Sequence, residues 1–229
     1  MKKVILGLFL LIFTLICLPV QALEDLNFQS GFISDNAKVI NQQDYEAMNK
    51  FLWELHNKTT ADIAVVTVTS LQGEDVKDVA IQIGNKYKVG AKGKNNGAVL
   101  LVAPNERKAR IEVAPGLMNV LPESVDEDIM DNTMIPFFKS GDYSKGIYSG
   151  AAKMTTIIAN SYNVQLTTLD ATTIPQGQNN GARNGNDGAI PFWAWPFIII
   201  GGLFSGRRRY GAFGGGGGFG GGCGSSGSW

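Results

Sequence analysis

The sequence predicts an α/β fold, a small layered sandwich with a mixed sheet of about four strands, an N-terminal signal peptide and one C-terminal transmembrane helix. Three observations predict it. Four stretches repeat apolar residues at steps of three and four, two short runs between them are continuously apolar, and one further run alternates. That order places helices against a layered sheet.

The first helix spans 41–57, with Tyr45, Met48, Leu52 and Leu55 on one face and Asn41 as its N-cap. Residues 62–69 (DIAVVTVT) follow as a strand buried on both faces. A second helix over 74–89 carries Val76, Val79, Ala80, Ile83 and Tyr87. Residues 97–103 (GAVLLVA) form a second central strand, and 107–113 (RKARIEV) alternates as its hairpin partner across Pro104-Asn105-Glu106. A third helix begins after Pro122, carries Val125 and Ile129, and is ended or kinked by Pro136. The fourth runs from Tyr143 to about Ser161 through Ile147, Ala151, Met154 and Ile158. A further short strand is placed near Asn119–Leu121 or at Phe32.

The chain's ends read as membrane segments. Lys2-Lys3, an apolar run from Val4 to Val20 and Val20-Gln21-Ala22 match a secretory signal over 1–22, with an uncleaved anchor as the rival. Residues 189–206 form an uncharged stretch that opens with Trp193 and Trp195 and runs into Arg207-Arg208-Arg209, the pattern of one span with a cytoplasmic basic flank. A hydrophobic hairpin or interfacial segment is the alternative, given Pro191 and Pro196. Residues 166–188 read as a flexible linker. Half of the final 24 residues are glycine, too few apolar groups to fold alone, with Phe213, Phe219 and Trp229 as isolated aromatics. The expectation is a single-pass protein of the inner (cytoplasmic) membrane, its folded domain (23–165) on the periplasmic side and its Gly-rich tail (207–229) in the cytoplasm.

Composition excludes several classes. The stretch 23–165 has 18 Asp/Glu against 14 Lys/Arg and no basic stripe, which argues against nucleic acid as a partner. Cys17 and Cys223, the two cysteines, lie outside that stretch, so it holds no disulfide framework, cysteine-based zinc site or cysteine nucleophile. The single histidine, His56, ends the first helix and reads as a dipole partner or surface residue. No organic cofactor is expected.

Two features remain as candidate sites. Gly90, Gly93 and Gly97 flank Lys92, Lys94, Asn95 and Asn96, a loop that either cradles an anion through backbone N–H groups or only turns the chain into a strand. It lacks P-loop spacing. Glu123, Asp126, Glu127, Asp128 and Asp131 crowd the third helix. They either complement its dipole as a solvated face or, through Glu127, Asp128 and Asp131 on one side, offer oxygens to Ca²⁺ or Mg²⁺. Asp35 and Asp62 are further ligand candidates, and Asp142 reads as an N-cap.

The segments AKGKNNGAVLLVA at 91–103, RKARIEVAPGL at 107–117, LPE at 121–123 and IPFFKSGDYSKG at 135–146 together resemble the TPM domain family over about residues 26–162. A signal, a span and a Gly-rich tail ending in Ser-Trp resemble its bacterial members. The resemblance implies a small α/β sandwich and an association with calcium. The topology and the long tether point to an interaction or assembly module for membrane or envelope proteins, whereas the resemblance, through a thylakoid lumen member, implies a metal-assisted acid phosphatase acting on phosphomonoesters. The family's usual RIEVGYGLEG appears here as RIEVAPGLMN, so the acid that follows the leucine is absent.

Overall fold

The computed structural model describes residues 26–28, 31–170, 172, 174–176 and 218–229. The signal at 1–22, the apolar stretch at 189–206 and the arginines at 207–209 lie outside the described residues. Among those described, no helix is long and apolar enough to cross a membrane.

Five strands form one sheet in the order β1-β2-β3-β4-β5: Ile33–Asp35, Asp62–Thr67, Gly97–Ala103, Lys108–Val113 and Cys223–Ser228. The first three are parallel, and β4 and β5 are each antiparallel to the strand before. The short strand expected at Phe32 begins one residue later, as β1. Asn119–Leu121 is no strand: the turn of the 3-10 helix Pro115–Leu117 continues there, with Val120 and Leu121 N–H both donating to the Leu117 carbonyl.

Helix α1 (Gln42–Thr59) is capped by Asn41, whose side chain accepts from Asp44 N, and buries Met48, Phe51, Leu52 and Leu55. It shares one face of the sheet with α5 (Tyr143–Ser161). Helix α2 (Val76–Lys86) covers the other face with Val79, Ala80 and Ile83. Pro136 does not simply end the third helix. Helix α3 (Glu123–Asp128) passes into a π-helical segment, Ile129–Met134, and then α4 (Ile135–Lys139), which carries Pro136 in its first turn. Proline lacks a backbone N–H, a donor not needed in a first turn, and the wider π turn hands the chain over there.

Two expectations at the C-terminal side are corrected. The domain continues beyond residue 165: Leu169 and Ile174 are buried in the core, and Glu54 accepts from Thr167 and Thr168 N–H groups at 2.8 Å. The end of the Gly-rich tail is not a separate appendage, because β5 pairs with β4 from Cys223 to Ser228 and makes the sheet five-stranded. Such a segment cannot fold alone, but a preformed sheet edge supplies its hydrogen-bond partners.

Candidate functional site

One end of the parallel strands gathers the chemistry. Thr60 takes a left-handed conformation (φ 64°) at the end of α1 and turns the chain straight into β2. This brings His56, in the last helical turn, against Asp62, the first strand residue, with Nδ1 to Oδ1 at 2.6 Å. The other carboxylate oxygen accepts from Gly90 N–H at 3.0 Å. Two rings close around the imidazole: Phe32 lies 5.5 Å and Trp53 5.9 Å from His56, and the two are 5.1 Å apart. Trp53 is 43% exposed. Sequence reasoning missed this pairing. Its only trace is the six-residue spacing between a helix's last turn and a strand's first residue.

The expected anion loop lies at the same end and is knitted into the fold. Asn96 is buried, and its Oδ1 accepts from Ala91 N–H at 2.9 Å. Lys94 Nζ donates to Thr60 Oγ1 at 2.9 Å, and Gly116 N–H donates to the Asn95 carbonyl at 2.8 Å. Gly93 (φ 81°) and Asn95 (φ 48°) make the turn. Lys92 is exposed. The structure therefore brings together Asp62, Lys94 and Asn96 around Thr60.

It does not bring the other candidate ligands there. Asp35 sits at the far end of β1, where its oxygens accept from Val39 N–H, Ile40 N–H and the Thr67 hydroxyl. Glu127, Asp128 and Asp131 are exposed on the α3 side, with Asn132 Nδ2 donating to Asp128 at 2.8 Å. The five carboxylates lie in three places, and among the described residues no group of three or more His, Cys, Asp or Glu is placed to hold a metal ion. Asp142 caps α5, accepting from Lys145 N–H.

A second polar centre was not anticipated. On β4, Arg110 Nε and Nη2 donate to Glu112 Oε2 at 2.9 and 2.5 Å, and Nη1 donates to Ser226 Oγ of β5 at 3.0 Å. Both partners are buried, and burial pushes the Glu112 carboxyl up against the pull of Arg110. Asp126, expected on the acidic helix face, is fully buried, and neither carboxyl oxygen has a hydrogen-bond partner. Burial first, opposed by the Arg110 charge and reinforced by Glu112 and Glu123, pushes its pKa up to about 8.

The sign of the resulting pH dependence is definite. Below about pH 4 the Asp126 carboxyl is protonated in both states. Between about pH 4 and 8 the unfolded chain loses that proton and the folded chain keeps it, so folding weakens as pH rises. Asp126→Asn should match wild type at pH 4 and gain up to roughly 3 °C in Tm per pH unit above it, levelling off near pH 8. Thermal unfolding across that range checks this, and parallel curves for the two proteins would refute it.

The family model described as TPM domain matches residues 33–157. Among solved structures, the N-terminal domain of a P. gingivalis protein superimposes with a TM-score of 0.54 at 27% identity, over 58% of this chain and 85% of that one. The BA42 protein of Bizionia argentinensis gives 0.47 at 21%, over 58% and 90%. The N-terminal domain of a Corynebacterium glutamicum protein gives 0.45 at 17%, over 58% and 84%. No curated protein matches the chain.

Proposed function

The chain belongs to the TPM domain family, and from that premise we propose that it is an interaction module of the cell envelope, tethered to the membrane through residues 189–206. The contact face is the Phe32–Trp53–His56 ring cluster, and the partners are other membrane or envelope proteins. One observation carries this reading: a tryptophan 43% exposed, braced edge-on by Phe32 and His56. A rigid aromatic body with exposed area is the side chain that most often anchors a protein interface. Asp62 fixes the imidazole from behind and leaves its outer edge for a partner's polar groups.

The same pair supports the second reading. A carboxylate-oriented imidazole, with Lys94 bonded to Thr60 at the same end of the sheet, has the parts that general acid–base work on a phosphomonoester uses. The dispersed carboxylates favour the interaction module over a metal-assisted acid phosphatase, because they do not converge on one Ca²⁺ or Mg²⁺. One experiment separates the two. A photo-crosslinking residue at position 53 in membranes should give a discrete adduct that Phe32→Ala weakens. Purified full chain should hydrolyse a phosphomonoester no faster than buffer, with Ca²⁺, Mg²⁺ or chelator. A chelator-sensitive rate that Asp62→Asn abolishes would replace the interaction reading with the phosphatase.

A further inference from the structure

We propose that the last twelve residues are a tethered peptide ligand, which the β4 edge binds by strand addition and which keeps tail and domain in one compartment. This does not rest on the aromatic contact face.

Cys223–Ser228 reads CGSSGS and holds no β-branched or aromatic residue, so its own preference for a strand is low. The extended form is imposed by the edge that receives it, which is how peptides bind in β-augmentation: main-chain hydrogen bonds hold, and side-chain pockets select. Selection is visible at both ends. Ahead of the strand, Phe219 is 3% exposed over α2, where Gly84 leaves room for its ring, and its N–H donates to Asn85 Oδ1 at 3.0 Å. Behind it, Trp229 crosses to the opposite layer. Its ring centroid lies 4.5 Å from Phe138 and 5.9 Å from Tyr143, and Nε1 reaches the Tyr143 hydroxyl at 3.4 Å.

The two aromatics thus grip opposite faces of the sheet. Between them the strand is selected for smallness. A Cβ on Gly227 would stand 2.5 Å from Met130 Cγ, and one on Gly224 would overlap the Ile111 carbonyl. Arg110 reads Ser226 directly. The ligand class is therefore a Gly/Ser-rich C-terminal strand with an aromatic residue before it and a terminal tryptophan.

The consequence is topological. β4 and β5 exchange backbone hydrogen bonds over six residue pairs. That is impossible across a hydrocarbon core ~30 Å thick. A cytoplasmic tail with a periplasmic domain is excluded whenever the strand is seated. The connection from residue 176 to 218 is long enough to leave the domain and return, at up to ~3.4 Å per residue.

A disulfide tests this in the full chain. Val113 and Cys223 are directly paired and share one face of the sheet, at a separation such pairs can bridge. In a Cys17→Ser background, Val113→Cys should cross-link to Cys223 within a monomer when intact cells are mildly oxidised. A cross-linked dimer would overturn the tether and assign the strand to a second copy. Two thiols that stay free would overturn the proposal outright.

A second measurement keeps it falsifiable if Val113→Cys fails to fold. The Cys223 thiol is half-buried and donates to the Leu121 carbonyl, and burial pushes its pKa up to about 11. Its maleimide labelling should be slow in the otherwise unaltered Cys17→Ser chain. Gly227→Val should accelerate it at least ~tenfold. Labelling of that parent chain as fast as an unstructured peptide would refute the seated strand.

Discussion

Arg110→Met is expected to cost the folded state about 3–5 kcal/mol. The arginine and Glu112 stand two residues apart on β4 and so face the same way, 6% and 1% exposed. Two guanidinium N–H groups converge on one carboxylate oxygen, and a third reaches Ser226. Methionine fills much of the volume but leaves a carboxylate buried without its counter-charge. Against a typical domain stability of ~5–15 kcal/mol, that is a large share of the total. The companion Arg110→Met/Glu112→Leu removes both charges and should recover most of the loss, because the desolvation cost goes with the attraction. Urea unfolding of wild type, both single variants and the double variant measures the coupling. A single-variant loss under about 1 kcal/mol would show that Glu112 finds water or another donor, as surface pairs do.

The same pair shows where sequence reading stops. Helices α1, α2 and α5 are legible because their buried faces recur at helical spacing, and β2 and β3 because strands covered on both sides are continuously apolar. RKARIEV is legible as a strand, but its alternation suggests a wet face with Arg110 and Glu112 in water. They are dry because α2 lies over that face and β5 extends the sheet beside them. Nothing in CGSSGS announces a strand, since the information sits in the edge that receives it. Asp126 is misplaced for a related reason: a run of acids at a helix start reads as one solvated face, yet Glu127 and Asp128 are exposed while Asp126 points inward. The His56–Asp62 contact depends on one left-handed residue, Thr60, which no periodicity reveals.

Gly97→Val should be the most damaging change at the candidate site, with a loss of about 3 kcal/mol or more. The reason is proximity. Gly97 opens β3 opposite Asp62, and a Cβ there would overlap the Val89 carbonyl group, with the carbonyl carbon at 2.6 Å. Backbone cannot rotate aside as a side chain can, so residues 89–91 must move, and with them the Gly90 N–H that Asp62 accepts. That displacement reaches His56, which Asp62 holds at 2.6 Å. Gly97→Ala should therefore already lower Tm and disturb the imidazole, which the His56 ring resonances report. Lys92→Ala/Lys94→Ala should fold with Tm close to wild type, because both lysines are exposed and only Lys94 gives up a bond, to the Thr60 hydroxyl. The loop would then be a brace that positions Asp62 and His56 from behind, with its glycines indispensable and its charges dispensable. A Gly97→Ala protein with wild-type Tm, or a lysine pair whose loss unfolds the domain, would reverse that assignment.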